Sequence, residues 1–227
     1  MKKTSTILAI GSALALGSAQ AEIESSFHVG YSTDYVFRGL DQGPGLYEYG
    51  IDFSGAASCG TTLNAGVWRA DFADGVSEET DIYGSISKEF GAVDLSLGLI
   101  RYDNGNAAGG DTSEIFLGAS TEVSGFNVGA VIFSDVDNND GDLWGELSIG
   151  KSYDVGGATL DLVATIGTTL DAGTAGDDYV TYGLKAALSK ELGDNLTGSI
   201  YIAGEITEGH QSDEDDLVGG ISLSYGF

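Results

Sequence analysis

The sequence predicts an all-β chain: a single up-and-down antiparallel transmembrane β-barrel of about twelve strands, following a cleaved signal peptide. Three observations lead there. Apolar residues recur with period two almost throughout, and no segment long enough for a helix sustains a 3.6-residue period. The alternating runs exceed the roughly 5–6 residues usual in soluble sheets and suit the roughly 9–11 residues with which a tilted strand crosses a bilayer. The links between runs alternate between tight turns and longer acidic loops, as an even-stranded up-and-down barrel requires and a Greek-key sandwich does not.

The N-terminus reads as an export signal. Lys2 and Lys3 precede an apolar run, Ile7 to Leu16, and then Ala19-Gln20-Ala21, the order of charged, hydrophobic and small-residue regions at a signal-peptidase site. Residues 1–21 are expected to be removed, leaving 22–227 as the barrel. Losing Lys2 and Lys3 while all 35 acidic residues remain takes the formal charge from −26 to −28. Such a chain repels nucleic acid. The single cysteine, Cys59, excludes an intrachain disulfide and is expected at a turn or in a small buried position.

Strands are expected at 26–38, 45–55, 61–70, 80–90, 93–103, 113–124, 125–134, 142–153, 158–169, 178–191, 194–206 and 216–227. Their faces differ in chemistry. In strand 5, Val93, Leu95, Leu97 and Leu99 alternate with Asp94, Ser96, Gly98 and Ile100; in strand 9, Leu160, Leu162, Ala164 and Ile166 alternate with Thr159, Asp161, Val163 and Thr165. In a barrel the apolar face meets lipid and the small polar face a narrow lumen. Tight links are read at Gly91-Ala92, Ser124-Gly125 and Gly193-Asp194, with longer ones at Cys59 and Gly156-Gly157. At the opposite end, 71–79, 104–112, 135–141, 171–177 and 207–215 are polar and acidic, and 39–45 turns the chain there after strand 1. The last strand ends at Tyr225 and Phe227 on the outward face, resembling the C-terminal strand by which the barrel assembly machinery recognises bacterial barrels.

Outward parity places Tyr31, Tyr35, Phe37, Tyr47 and Tyr49 against lipid, the last four toward the outside, and Phe27, Phe53, Phe90, Phe126, Tyr153 and Phe227 toward the periplasm, as two aromatic girdles. Lys88, Lys151 and Lys190 sit at the periplasmic ends, where they can snorkel to lipid headgroups. Arg69 and Arg101 fall at the outer ends of strands 3 and 5, in position to pair with lipopolysaccharide phosphates, although Trp68 competes with Arg69 for the outward face.

Inward parity gives Asp34, Glu48, Asp52, Asp94, Glu114, Glu122, Glu146, Asp161 and Glu205 against Arg38 and Lys185. Arg38 is expected to pair with Glu48 across the first hairpin or with Asp34 on its own strand. In a water-filled lumen the carboxylate excess favours cations; in a closed barrel the same charges form a plug network. His28 and His210 are the only histidines, and His210-Gln211-Ser212-Asp213 lies in an acidic loop where nothing positions a nucleophile and base, so no enzymatic activity and no cofactor are expected. The run 135–142 looks like a calcium loop, but Asp140 stands where that loop requires glycine, which leaves at most weak divalent binding at Asp135, Asp137, Asp140 and Asp142.

Residues 32–42, Ser-Thr-Asp-Tyr-Val-Phe-Arg-Gly-Leu-Asp-Gln, resemble the N-terminal motif of the TorF family of bacterial porins. Asp34-Tyr35, Phe37-Arg38-Gly39 and Gln42 match, and Asp41 replaces the usual serine. Trp68 and the hairpin pattern through Phe227 extend the resemblance, which implies an outer-membrane channel of largely unassigned solute. The expectation is therefore a passive channel for small solutes with a preference for cations. The alternatives are a non-conducting structural or surface-interaction barrel and a soluble secreted sandwich.

Overall fold

The computed structural model describes residues 23–57, 60–105, 110–138, 141–171, 178–210 and 215–227. They form twelve strands: β1 (Ile23–Phe37), β2 (Leu40–Ala57), β3 (Thr61–Phe72), β4 (Glu78–Phe90), β5 (Val93–Asp103), β6 (Thr112–Val123), β7 (Phe126–Asp135), β8 (Leu143–Val155), β9 (Ala158–Asp171), β10 (Val180–Gly193), β11 (Leu196–Glu208) and β12 (Asp215–Gly226). Each pairs antiparallel with its sequence neighbours, and β1 pairs with β12, so the sheet closes into a barrel without a free edge. The expected up-and-down barrel is the observed one. The proposed signal peptide and Cys59 lie outside the described residues.

Turn chemistry explains one end. Ser124-Gly125 and Gly156-Gly157 all have positive φ, the mirror-image turn whose twist matches two paired strands. At Gly91-Ala92 only the first residue has positive φ, as the second mirror-image type requires. The Gly156-Gly157 link is thus as tight as the others, not longer. The closing seam carries Phe227 N–H to Ser25 O at 2.9 Å and the reverse bond at 3.2 Å.

Period two sorts the side chains as expected on the outside. Leu95, Leu97, Leu99, Leu147, Ile149, Leu184, Ile200, Ile221 and Leu223 are all exposed, forming a continuous apolar band. Phe27, Phe53, Phe90, Phe126, Tyr153, Tyr225 and Phe227 collect at the short-turn end; Tyr31, Tyr47 and Tyr49 lie toward the other.

The inside departs from a small and polar lining. Ile100, Tyr102, Phe133 and Trp144 form a buried cluster with Phe37, Tyr83, Phe116 and Tyr179 against it, and Leu46, Ala70 and Phe72 form a second with Tyr35 and Trp68. These large side chains fit a twelve-stranded tube because several lie over a glycine on the adjoining strand. A Cβ on Gly98 would meet Phe116 at 2.4 Å, and one on Gly167 would meet Trp144 at 2.2 Å. Close approach of ring to backbone is what glycine permits there.

Candidate functional site

The first hairpin is longer than the wall it belongs to. β1 faces β12 only from Ser26–Gly226 to Ser32–Gly220, and β2 faces β3 only as far as Leu46–Phe72. Past final bonds from Gly219 N–H to Thr33 Oγ1 at 2.9 Å and from Ala73 N–H to Gly45 O at 2.8 Å, the two strands of the extension pair only with each other. Asp34 faces Pro44 and Tyr35 faces Gly43; after a bulge, Val36 faces Asp41 and Phe37 faces Leu40. A bulge bends a strand and re-aims its side chains, and Gly43 and Gly45, with φ of 145° and 44°, bend the partner strand. Arg38-Gly39 closes the hairpin, both with positive φ. Strand 2 thus starts at Leu40, and the broad turn expected over 39–45 is instead part of the hairpin.

With no wall partner on either side, the tip folds into the lumen and reaches strands across the barrel. Gly39 O accepts a hydrogen bond from Thr207 Oγ1 on β11 at 2.6 Å, and a Cβ on Gly39 would lie 2.2 Å from that hydroxyl and 2.4 Å from Thr181 on β10. Tyr35 packs its ring on Trp68 and Phe72 and donates to Glu79 Oε1 at 3.3 Å. Phe37 meets Tyr102 edge-on at 5.9 Å. Tyr35 and Phe37 therefore face the lumen, which corrects the lipid-facing assignment from parity. Parity holds only while a strand stays in the wall.

Arg38 is the centre of this stopper. Its two terminal nitrogens donate to the two oxygens of Glu114 on β6, at 2.7 and 2.8 Å. Neither Glu48 nor Asp34 is its partner. Tyr102 Oη donates to the same carboxylate at 3.0 Å. The guanidinium also stacks on Phe37 at 4.7 Å, Phe133 on β7 at 4.7 Å and Trp144 on β8 at 5.5 Å. A planar cation with a two-pronged acceptor and three aromatic faces is held by geometry as well as charge.

The other sequence-selected charges lie as follows. Glu48 accepts from Trp68 Nε1 at 2.9 Å, so Trp68 points inward and leaves the outward position to Arg69. Lys185 Nζ sits 4.2 Å over the Tyr201 ring. Asp52 accepts from Tyr83 Oη and lies 3.4 Å from His28 Nδ1. Asp161 accepts from Ser152. Asp34 takes its own neighbour's Tyr35 N–H at 3.1 Å. Glu146 lies near Trp144 and within electrostatic reach of Arg38, and Glu205 lies near Thr181. Glu122 is exposed at the short-turn end opposite Asn127. Two inner carboxylates absent from the parity set, Glu79 and Asp81 on β4, are both buried beside the stopper.

The outward cations have local partners. Arg69 meets Glu78, Asp71 and Thr80; Arg101 meets Asp137 at 2.6 Å and Asp111 at 3.0 Å. Lys88 lies over Phe90, and Lys151 over Phe126 and Tyr153, at the short-turn end, where Lys190 is exposed. Asp135 accepts from Thr112 Oγ1 at 2.6 Å, and among the described residues no three His, Cys, Asp or Glu side chains converge as metal ligands. Asp140 and residues 211–214, including Ser212, lie outside the described residues.

No protein-family model and no curated protein matches this chain, so the TorF likeness has no support beyond residues 32–42, Trp68 and the hairpin pattern. Solved structures do match. An outer membrane channel from Pseudomonas putida F1 superposes with a TM-score of 0.60 at 12% identity, covering 98% of this chain and all (100%) of that one. The NanC porin gives 0.58 at 10% identity, covering 88% and 98%, and the KdgM porin 0.57 at 12%, covering 89% and 99%. At such identities the likeness is one of fold: this chain has the barrel fold of those porins and channels.

Proposed function

We propose that the chain is a bacterial outer-membrane channel for small solutes, with a preference for cations, narrowed at its outer end by the inward-folded first hairpin. The observation that carries the reading is the charge of the inner wall. Glu48, Asp52, Glu79, Asp81, Glu114, Glu146, Asp161 and Glu205 face the lumen, against Arg38 and Lys185. A tube lined by one sign of charge concentrates the opposite ion. One KdgM porin structure holds oligogalacturonate, a polyanion; the acidic lining here argues against carrying that ligand over. The acidic loops at the outer end draw cations toward the same mouth.

In this reading the short-turn end faces the periplasm. Lys88, Lys151 and Lys190 then reach phospholipid headgroups, and Arg69 and Arg101 stand at the level of lipopolysaccharide phosphates, which would compete with Glu78, Asp111 and Asp137 for them. Tyr225 and Phe227, stacked at 6.4 Å, form the terminal signature offered to the assembly machinery. The motif of residues 32–42 supports a place near the TorF porins, and in this chain it builds the stopper.

The test is a planar-bilayer recording under a potassium chloride gradient. A reversal potential on the cation side supports the reading, and one on the anion side contradicts it. A second reading, a non-conducting barrel, is favoured by the hairpin that crosses the lumen. It predicts no current at all from protein that is folded by heat-modifiable migration.

A further inference from the structure

The contacts of Arg38 describe a receptor as well as a latch. Three of its walls belong to the barrel, not to the hairpin: Glu114 on β6, Phe133 on β7 and Trp144 on β8. Glu114 also accepts from Tyr102 Oη at 3.0 Å, a barrel contact independent of the arginine that holds its carboxylate toward the lumen. A carboxylate fork beside two aromatic faces is the complement of a planar, delocalised cation with paired N–H donors. It is a poorer complement of an ammonium, which is a compact point charge with no fork. The cation enters the cage from the tip of the hairpin, at the Arg38-Gly39 turn, whose residues both hold positive φ.

We propose that the Glu114–Phe133–Trp144 cage is a guanidinium-binding site occupied by the chain's own Arg38 as a tethered ligand, and that free guanidinium-bearing cations compete for it and release the hairpin. The release half of this inference rests on the channel reading above; the binding half does not. The acidic inner wall around the cage supplies the means of concentrating such cations there. Glu146 lies close enough to add to the field at the cage, and Asp81 stands on the adjoining part of the wall with Oδ1 buried and without a hydrogen-bond partner. A guanidinium solute arriving there exchanges one bidentate pair for another of the same kind, but it must also outcompete the tether and the Thr207–Gly39 and Tyr35–Glu79 contacts of the tip, so displacement needs more solute than the vacated cage does.

The experiment uses the full chain refolded in detergent, with Arg38→Ala to vacate the cage and Trp68→Phe so that Trp144 is the remaining tryptophan of the two. The probes are agmatine and putrescine, which share an alkyl chain and a terminal ammonium and differ in carrying a guanidinium or a second ammonium. Agmatine is expected to change Trp144 fluorescence saturably, with half-saturation about tenfold lower than putrescine. The change is expected to disappear when Glu114→Gln is added, and protein that retains Arg38 is expected to need about tenfold more agmatine.

Equal half-saturation for the two amines, survival of the response in the Glu114→Gln variant, or no saturable response overturns the site. Arg38→Gln serves where Arg38→Ala does not assemble, as judged by heat-modifiable migration. Where neither assembles, the Arg38-containing protein decides by the same agmatine-against-putrescine comparison. A parallel bilayer recording separates the two halves. Binding with no current under any condition contradicts the channel reading and leaves the site standing. Current that agmatine does not raise, from protein whose vacated cage binds it, overturns release.

Discussion

Inside the long-loop half of the lumen, Glu114 takes both guanidinium nitrogens of Arg38, beside the contacts of Tyr35, Phe37 and Gly39 that also hold the hairpin tip. Removing one partner of a buried charge-assisted pair leaves the other desolvated and unsatisfied. Glu114→Gln keeps the shape and removes the charge, and it is expected to weaken hairpin docking by about 1–3 kcal/mol. Trypsin cleavage after Arg38 reports this directly: folded native protein resists, and the variant is cut about 5- to 150-fold faster, each step of about 1.4 kcal/mol being tenfold. Equal cleavage rates would show that the pair does not hold the hairpin. Gly39→Ala acts in the same direction, since its Cβ would crowd Thr207 and its φ of 74° costs a non-glycine residue about 1–2 kcal/mol. Faster trypsin cleavage without loss of barrel content is the expected result. The sequence makes an inward arginine legible at position 38 through parity, but not its partner. Glu114 is far away in the chain, and pairing with Glu48 or Asp34 is the local choice that a register-based argument reaches first.

At the scale of the element, period two and turn chemistry place ten of the eleven links between strands, but not the first. A strand that leaves the wall carries no different periodicity from one that stays, so Tyr35 and Phe37 read as lipid-facing although they pack on Trp68, Phe72 and Tyr102. The signal that was available is the Gly43-Pro44-Gly45 run, holding the sole proline of the chain in a strand that lacks an outer partner at that level. Glu79 escapes the inward set because β4 begins at Glu78, earlier than the expected 80–90; Asp81 lies inside that expected span, on the same parity as the inward Tyr83, and is legible there. The lipid-facing strands allow a sharper expectation. Leu97, in mid-β5, is exposed on the outer face, and Leu97→Arg is expected to destabilise the barrel by about 2–4 kcal/mol in denaturant titrations from vesicles. A loss well below about 1 kcal/mol would place Leu97 away from the hydrocarbon centre.

Taken as a whole, the molecule is a tube whose two halves differ. Toward the short-turn end the inner face carries small residues such as Ser148, Ser152, Ser96 and Gly129, whereas the opposite half holds two aromatic clusters and the hairpin between them. The closed barrel and its alternating loops follow from the sequence because they are local properties repeated along the chain. The stopper does not, because it depends on which side chains meet across the lumen. The most direct measurement of the whole account is the single-channel conductance of the native chain beside a variant in which 34–44 is replaced by Asn-Gly, a turn suited to the Thr33–Gly45 junction. A stoppered channel predicts a clear rise in conductance on removing the hairpin, with the reversal potential still on the cation side. An unchanged conductance, or a potential that moves to the anion side, would contradict it.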